Sequence, residues 1–549
     1  MSTNHQAIAF CIILSSSIVL TEIASTDLGA ADMERVTFKE VPLGRIPRRA
    51  LRDSLIFSPD ERHAASLHVE ESKLAVLLDG RPSPLYDDVG MDSLAFGSAG
   101  RRFGFVARRG EKWMAVVDGV EGQPHAARIG ANLLFSPDGK HVLFILQRQE
   151  NFLVVIDDKE GPEYTGIGVG SVTFSPDSKR LAYVAARDHK QFVVVDGVEQ
   201  PECDGIDGTK VLFSNDSRRL AYVGTRDDSQ FVVLDGVEGP GFDEVLSDGI
   251  EFSSDSRRFA YGATRGDKQF VVIDGKVGKA YDDVALLRFG PNGKHFVHAA
   301  RLEGKSFVVV DGIETGPFDG LGAGGFSFSD DGERFACVVG RGERWATIID
   351  GRESKAWDTV GEPGVRFRPD GKRYIYVATL GDKAFAVIDG VATEPRDAIR
   401  MLSAPFSPNG RRVAFLTSRN EIAFLNVDNR ESEGFDGFFQ MAPIFSPDSR
   451  RIAIAAMQGE TWLALVDGVP GKPFDRIRPP VFSPDSKSIA YRGLRDKDNY
   501  FVVDDTLIGP YSGFFGQSRC EFDSNTTLHF LANKENDIYR VEVAIQRND

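Results

Sequence analysis

FSPDSKRLAYVAARDHKQFVVVDGVEQPECDGIDGTKVL, residues 174–212, is the stretch that decides the fold. It contains four short apolar runs and no helical period. SVTF, ending at Phe174, reads as a first strand. Ser175-Pro176-Asp177-Ser178 is a turn, because Pro presets the backbone and Asp or Ser bonds the chain ahead of it. Arg180 to Ala185 is rich in strand formers and reads as a second strand. Phe192 to Val195 is a continuous apolar run, as expected of a strand covered on both faces. Asp196-Gly197 then marks a tight hairpin, since a type I′ turn needs positive φ at both positions. A fourth strand runs from there to about Cys203.

Working outward, the marker Phe recurs thirteen times, from Phe57, Phe96 and Phe135 to Phe482 and Phe522. Nine of the twelve spacings are 39 residues, two are 37 and one is 40. The Asp of the hairpin lies 22 residues after the marker in all twelve units with a full fourth strand, and Gly follows nine of them. An aromatic stands near the end of the fourth strand in nine units, Tyr86, Tyr281 and Trp357 among them, suited to pack on the neighbouring unit. Four antiparallel strands in about forty residues predict an all-β propeller of about thirteen four-stranded blades. One blade cannot bury both faces alone; stacking around an axis buries them and leaves short edges.

FSPDSKRLAYVA, FSPDGKHVLFIL and FSPDSRRIAIAA resemble the WD-repeat-like propeller repeats of TolB-type bacterial proteins. The resemblance covers roughly residues 50–549. It implies the propeller fold. It leaves function open, because such repeats serve periplasmic interaction proteins, two kinds of peptidase and some polysaccharide lyases. The Trp-Asp pair of true WD repeats is replaced here by aliphatic-Asp-Gly.

Thirteen blades exceed the usual four to eight. Two rings of six and seven, residues 34–285 and 286–549, are therefore the first expectation, with the short spacing after Phe252 as the seam. One large ring is the alternative. Glu34 to Val41 is strand-like, and the last unit ends at its third strand, so the termini are expected to pair near Val541. Ala7 to Leu20 is apolar, too short for a comfortable membrane span, and residues 1–31 read as a secretory signal with its linker. Periplasmic or secreted bacterial localisation follows as an expectation, with no membrane insertion of the mature chain.

A net charge of −16 argues against nucleic acid as a partner. Cys11, Cys203, Cys337 and Cys520 make no disulfide framework. The sequence shows no G-x-S-x-G, H-E-x-x-H, P-loop or C-x-x-C motif, and no catalytic residue, metal site or cofactor is assigned. His63, His141 and His295 share a slot that usually holds Arg, on blades too far apart to meet at one ion. Trp113, Trp345 and Trp462 share another slot and read as blade-interface core.

One rim is the candidate site. Arg stands thirteen residues after the marker in eight units, where strand two ends. Asp stands thirty residues after it in nine, where strand four ends. The expectation is a belt of Arg–Asp pairs bracing the blades. Arg109, Arg148 and Arg495 lack an Asp in their own units and are the candidate rim-binding residues for an acidic partner. The expected function is an exported, non-catalytic scaffold for a protein or peptide ligand. A glycan-directed lyase or hydrolase and a structural envelope protein are the alternatives.

Overall fold

The computed structural model describes residues 35–547, apart from 48, 131–132, 208–210, 247–248, 402–404, 439–442 and 516–519. It is all-β, with thirteen antiparallel sheets and a few short 3-10 turns. The expected signal over residues 1–31 lies outside the described residues.

The blade that begins at Phe174 shows the plan. Its first strand comes in two pieces, Gly166–Ile167 and Thr173–Phe174, both paired with strand two, Leu181–Arg187. Strand three is Lys190–Val195, and strand four is Val198–Glu199, extended by a bridge from Gln191 to Cys203. Asp196 and Gly197 sit at φ 53° and 81°, the two positive values that the hairpin requires. Strand four is the outer edge, where blades splay apart: Val198, Val237 and Ile313 are 62 to 72% exposed.

The marker motif proves to be glue between blades. Arg180 N–H donates to Ser175 Oγ at 3.0 Å, closing the turn. Asp177 N–H donates to Ser217 Oγ of the next blade at 3.0 Å. Asp196 accepts from Leu181 N–H and from Arg180 Nε, each at 2.9 Å. Arg180 in turn donates to the carbonyl of Arg218 and lies over Phe213, the marker of the next blade, at 5.2 Å. His63, His141 and His295 take the place of this Arg and bond Asp79, Asp157 and Asp311 through Nδ1. Buried aliphatics and rings then fill the space between sheets, as where Ala182, Val184 and Val193 meet Tyr222 and Phe231.

The thirteen blades form one ring, so the two-ring expectation gives way to its alternative. Ala260, Val271, Tyr281, Val284 and Phe296 carry the core straight across the supposed seam. The short spacings have another cause. They remove two residues from the loop inside strand one, which becomes continuous over Asp283–Phe289 in one unit and keeps its two pieces, Arg476–Ile477 and Val481–Phe482, on a shorter loop in the other. Closure occurs where the termini predict it. Arg35–Arg45 supplies strand four of the last blade, antiparallel to Asp537–Gln546, with Glu40 opposite Val541. Leu43, Ala64, Leu531 and Ile538 then seal the last blade to the first, and Arg62 donates to Asp523 at 3.1 Å.

Candidate functional site

The Arg row and the Asp row do share one rim, but they do not pair with each other. Arg109 makes two bonds to Glu121, at 2.7 and 2.8 Å. Arg148 bonds Glu160 and Glu163, both at 2.7 Å. Arg187, Arg226, Arg341 and Arg419 likewise meet Glu199, Glu238, Glu353 and Glu431. Apart from Glu163, fifteen residues on, each partner stands twelve residues on, on strand four of the same blade. The guanidinium also covers the previous blade's edge aromatic, as Arg109 covers Tyr86 at 5.2 Å and Arg341 covers Phe318 at 4.9 Å. Arg265 and Arg495 have Val277 and Leu507 in the Glu slot. They donate to the carbonyls of Gly241 and Pro473, both at 2.6 Å.

The premise that Arg109, Arg148 and Arg495 are left unpaired is therefore corrected. Glutamates hold the first two, and Arg495 is spent on a carbonyl and on the ring of Phe474 at 4.5 Å. A bracing belt exists, with Glu where Asp was expected. The signal was present in the sequence: all six of these arginines come with a Glu twelve residues later in the same unit.

The Asp row does a different task. Asp282 accepts from Lys268 of its own blade and from Glu303 N–H of the next blade's turn, both at 2.7 Å. Asp319 does the same with Lys305 and Gly342 N–H at 2.6 Å. The lysine and then the turn N–H hold both carboxyls below their usual range.

These clips fix the turns between strands two and three, and the turns share a property absent from the expectation. Every one of the thirteen exposes a carboxylate. In six turns it is at the first position: Glu71, Asp188, Asp227, Glu303, Asp496 and Glu535. In the other seven it is at the second: Glu111, Glu150, Asp267, Glu343, Asp382, Glu421 and Glu460. Turn chemistry explains Asp but not Glu at positive φ. Yet Glu71, Glu303, Glu421 and Glu535 sit at φ 51° to 66°. The rim is a crown of carboxylates standing above a layer of neutralised pairs.

Among the described residues, no group of three or more His, Cys, Asp or Glu is placed to hold a metal ion, and no helix is long and apolar enough to cross a membrane. Trp113 and Trp345 pack into blade interfaces as expected. Trp462 packs likewise but also lines a cavity of about 550 Å³ at the blade beginning at Phe482, together with Arg476, Arg478, Arg492, Asn499 and Phe514.

No protein-family profile matches the chain, and no curated protein matches it. Solved structures resemble it in fold. A TolB from Acinetobacter baumannii is 15% identical, with 48% of this chain and 79% of that one covered and a TM-score of 0.21. A GH74 enzyme from Niastella koreensis is 12% identical, with 89% and 90% covered and a TM-score of 0.23. The β-propeller domain of Cps50 (Swd1) from Myceliophteria thermophila is 11% identical, with 50% and 99% covered and a TM-score of 0.21. Enzymes and non-enzymes stand side by side in this set, and what the chain shares with them is the propeller.

Proposed function

We propose that the protein is an exported, non-catalytic scaffold that binds a basic protein or peptide on its carboxylate crown. One observation carries this reading: an exposed acid occupies every turn between strands two and three, moving between two positions but missing from none. Beneath it most of the arginines and lysines are neutralised by Glu and Asp, Arg265 and Arg495 excepted, so the turn acids dominate the field at the rim. A chain with a net charge of −16 attracts cations over about a Debye length, roughly 8 Å at physiological ionic strength. The expected partner of this rim is thus the reverse of the acidic one that the arginine row alone suggests. The groups gathered here are carboxylates held apart on separate blades. That arrangement suits distributed binding better than the convergent geometry of an acid–base pair.

A labelled oligolysine titrated against the ring tests the reading. Affinity should fall steeply with added salt. It should weaken about tenfold or more when Glu303, Glu343, Asp382, Glu421 and Glu460 are changed together to Asn or Gln, each lost contact being worth a few tenths to 1 kcal/mol. An unchanged affinity would sink the proposal. Export is part of the same proposal, and the mass of the protein recovered from an expressing bacterium tests it by the presence or loss of residues 1–31.

A further inference from the structure

Ten residues after the marker, in the middle of strand two, the first eleven units carry an aliphatic residue or Gly, from Leu67 and Val106 to Val377 and Ala455. This is core. Leu67, Val106 and Val377 are 2 to 6% exposed. In the twelfth unit the same position is Arg492. Burial disfavours its charge, Cys520 and Glu61 offset part of that, and Arg478 beside it adds to it. A guanidinium is an unusual filling for an apolar slot that eleven sister blades fill with hydrocarbon or Gly.

The backbone around it is altered as well. In the blades beginning at Phe96 and Phe174, a one-turn 3-10 segment closes over this slot. Its Ser93 or Ser171 hydroxyl accepts the N–H of Val106 or Val184. The twelfth unit has lost two residues here and runs Arg478-Pro479-Pro480. The cover is reduced, and the cavity of about 550 Å³ takes its place. Arg476 and Arg478 stand on its wall, both exposed, with no ion pair to any described residue. Arg492 lies over the ring of Phe514 at 4.8 Å, and Trp462 and Asn499 complete the wall.

We infer that this cavity is a binding site for a compact organic anion that carries carboxylate or phosphate groups on a flat apolar body. Three guanidiniums match such oxyanions through paired N–H donors. The faces of Phe514 and Trp462 suit a ring or an unsaturated chain. The volume fits a small molecule. The charge of the whole chain selects for compactness, because an extended polyanion would lie along an acidic protein whereas a small one is shielded within the cavity. The site is independent of the crown and has the opposite polarity.

Calorimetry with phthalate, phenyl phosphate and neutral benzamide as probes tests it. Saturable binding of phthalate, of phenyl phosphate or of both, with none of benzamide, is expected, and the preferred dianion tells carboxylate from phosphate. Arg492→Leu, which restores the residue type of the sister blades, should weaken binding about tenfold or more and leave the ring at least as heat-stable. Arg478→Gln, on the exposed wall, should weaken it without touching the core and serves if the first variant misfolds. Binding of benzamide as tight as that of the dianions would overturn the inference. So would failure of both dianions to bind, or unchanged affinity in the folded variants.

Discussion

The four glutamates of the crown at positive φ predict a gain in stability from a loss of charge. An L-residue other than Gly, Asn or Asp in the left-handed region is strained by roughly 1–2 kcal/mol. Asn relieves part of that, about 0.5–1 kcal/mol at each site. Glu71, Glu303, Glu421 and Glu535 lie on four separate blades, so their changes to Asn should add to about 2–4 kcal/mol. Unfolding entropy of roughly 2.1 cal/mol/K per residue over 549 residues makes 1 kcal/mol worth about 1 °C. The quadruple variant should therefore melt about 2–4 °C higher in differential scanning calorimetry. Asp188→Asn, Asp227→Asn and Asp496→Asn should change little, because Asp already tolerates this conformation. The same quadruple variant should bind oligolysine more weakly. A melting temperature that stays level or falls would show that the glutamates are not strained. The argument that they are kept for their charge would then lose its support.

Three further outcomes follow from the fold. Leu43→Ala at the ring closure should cost about 2–5 kcal/mol and speed amide exchange over Asp537–Gln546, where protection equal to the parent would contradict the closure. Asp235→Ala strips Leu220 N–H and Arg219 of their partner and should cost about 2 kcal/mol, whereas Arg226→Ala, whose pair is exposed, should leave the melting temperature unmoved; equal effects would refute the division between hairpin brace and rim pair. His298 is 5% exposed, and burial depresses its pKa from 6.5 to about 4. Its contribution is complete above pH 6.5 and is lost as the pH falls through 4, up to about 3 kcal/mol. His298→Tyr, which installs the residue that Tyr222 and Tyr261 supply in sister blades, should remove that part of the slope in denaturant titrations at pH 4 and 7.

The strands, the hairpin and the closing strand were legible because each rests on local chemistry. Asp196-Gly197 fixes a turn whatever surrounds it, and residues 35–41 had nowhere to go but the unpaired edge of the last unit. Rim partners were not legible from position alone. The period supplies an address for Arg187 and Asp204, and sharing a rim does not by itself bring two side chains into contact. A long side chain at the end of strand two also reaches down its own sheet to Glu199, and that direction is a matter of rotamer. What resolves it is covariation between units. Val277 and Leu507 replace Glu in two units, and there Arg265 and Arg495 keep only the carbonyl contact that Arg226 and Arg341 make beside their Glu.

Ring size failed for a different reason. Neighbouring blades meet at about 51° in a seven-blade ring and about 28° in one of thirteen. That difference is absorbed by small changes in how two layers of side chains interlock, with the same strands and turns in either case. Clusters such as Ala221, Val232, Phe242 and Tyr261 would read alike at both angles. The usual blade count therefore favoured two rings, while the chain itself carried one spare strand and one missing strand, at opposite ends. Two rings would need two closures, and the described residues show one, between Arg35–Arg45 and Asp537–Gln546. In a repeat protein the units specify the bricks; the exceptions specify the building. The spare strand sets the ring, and the Arg in an aliphatic slot marks the blade at which it departs from its sisters.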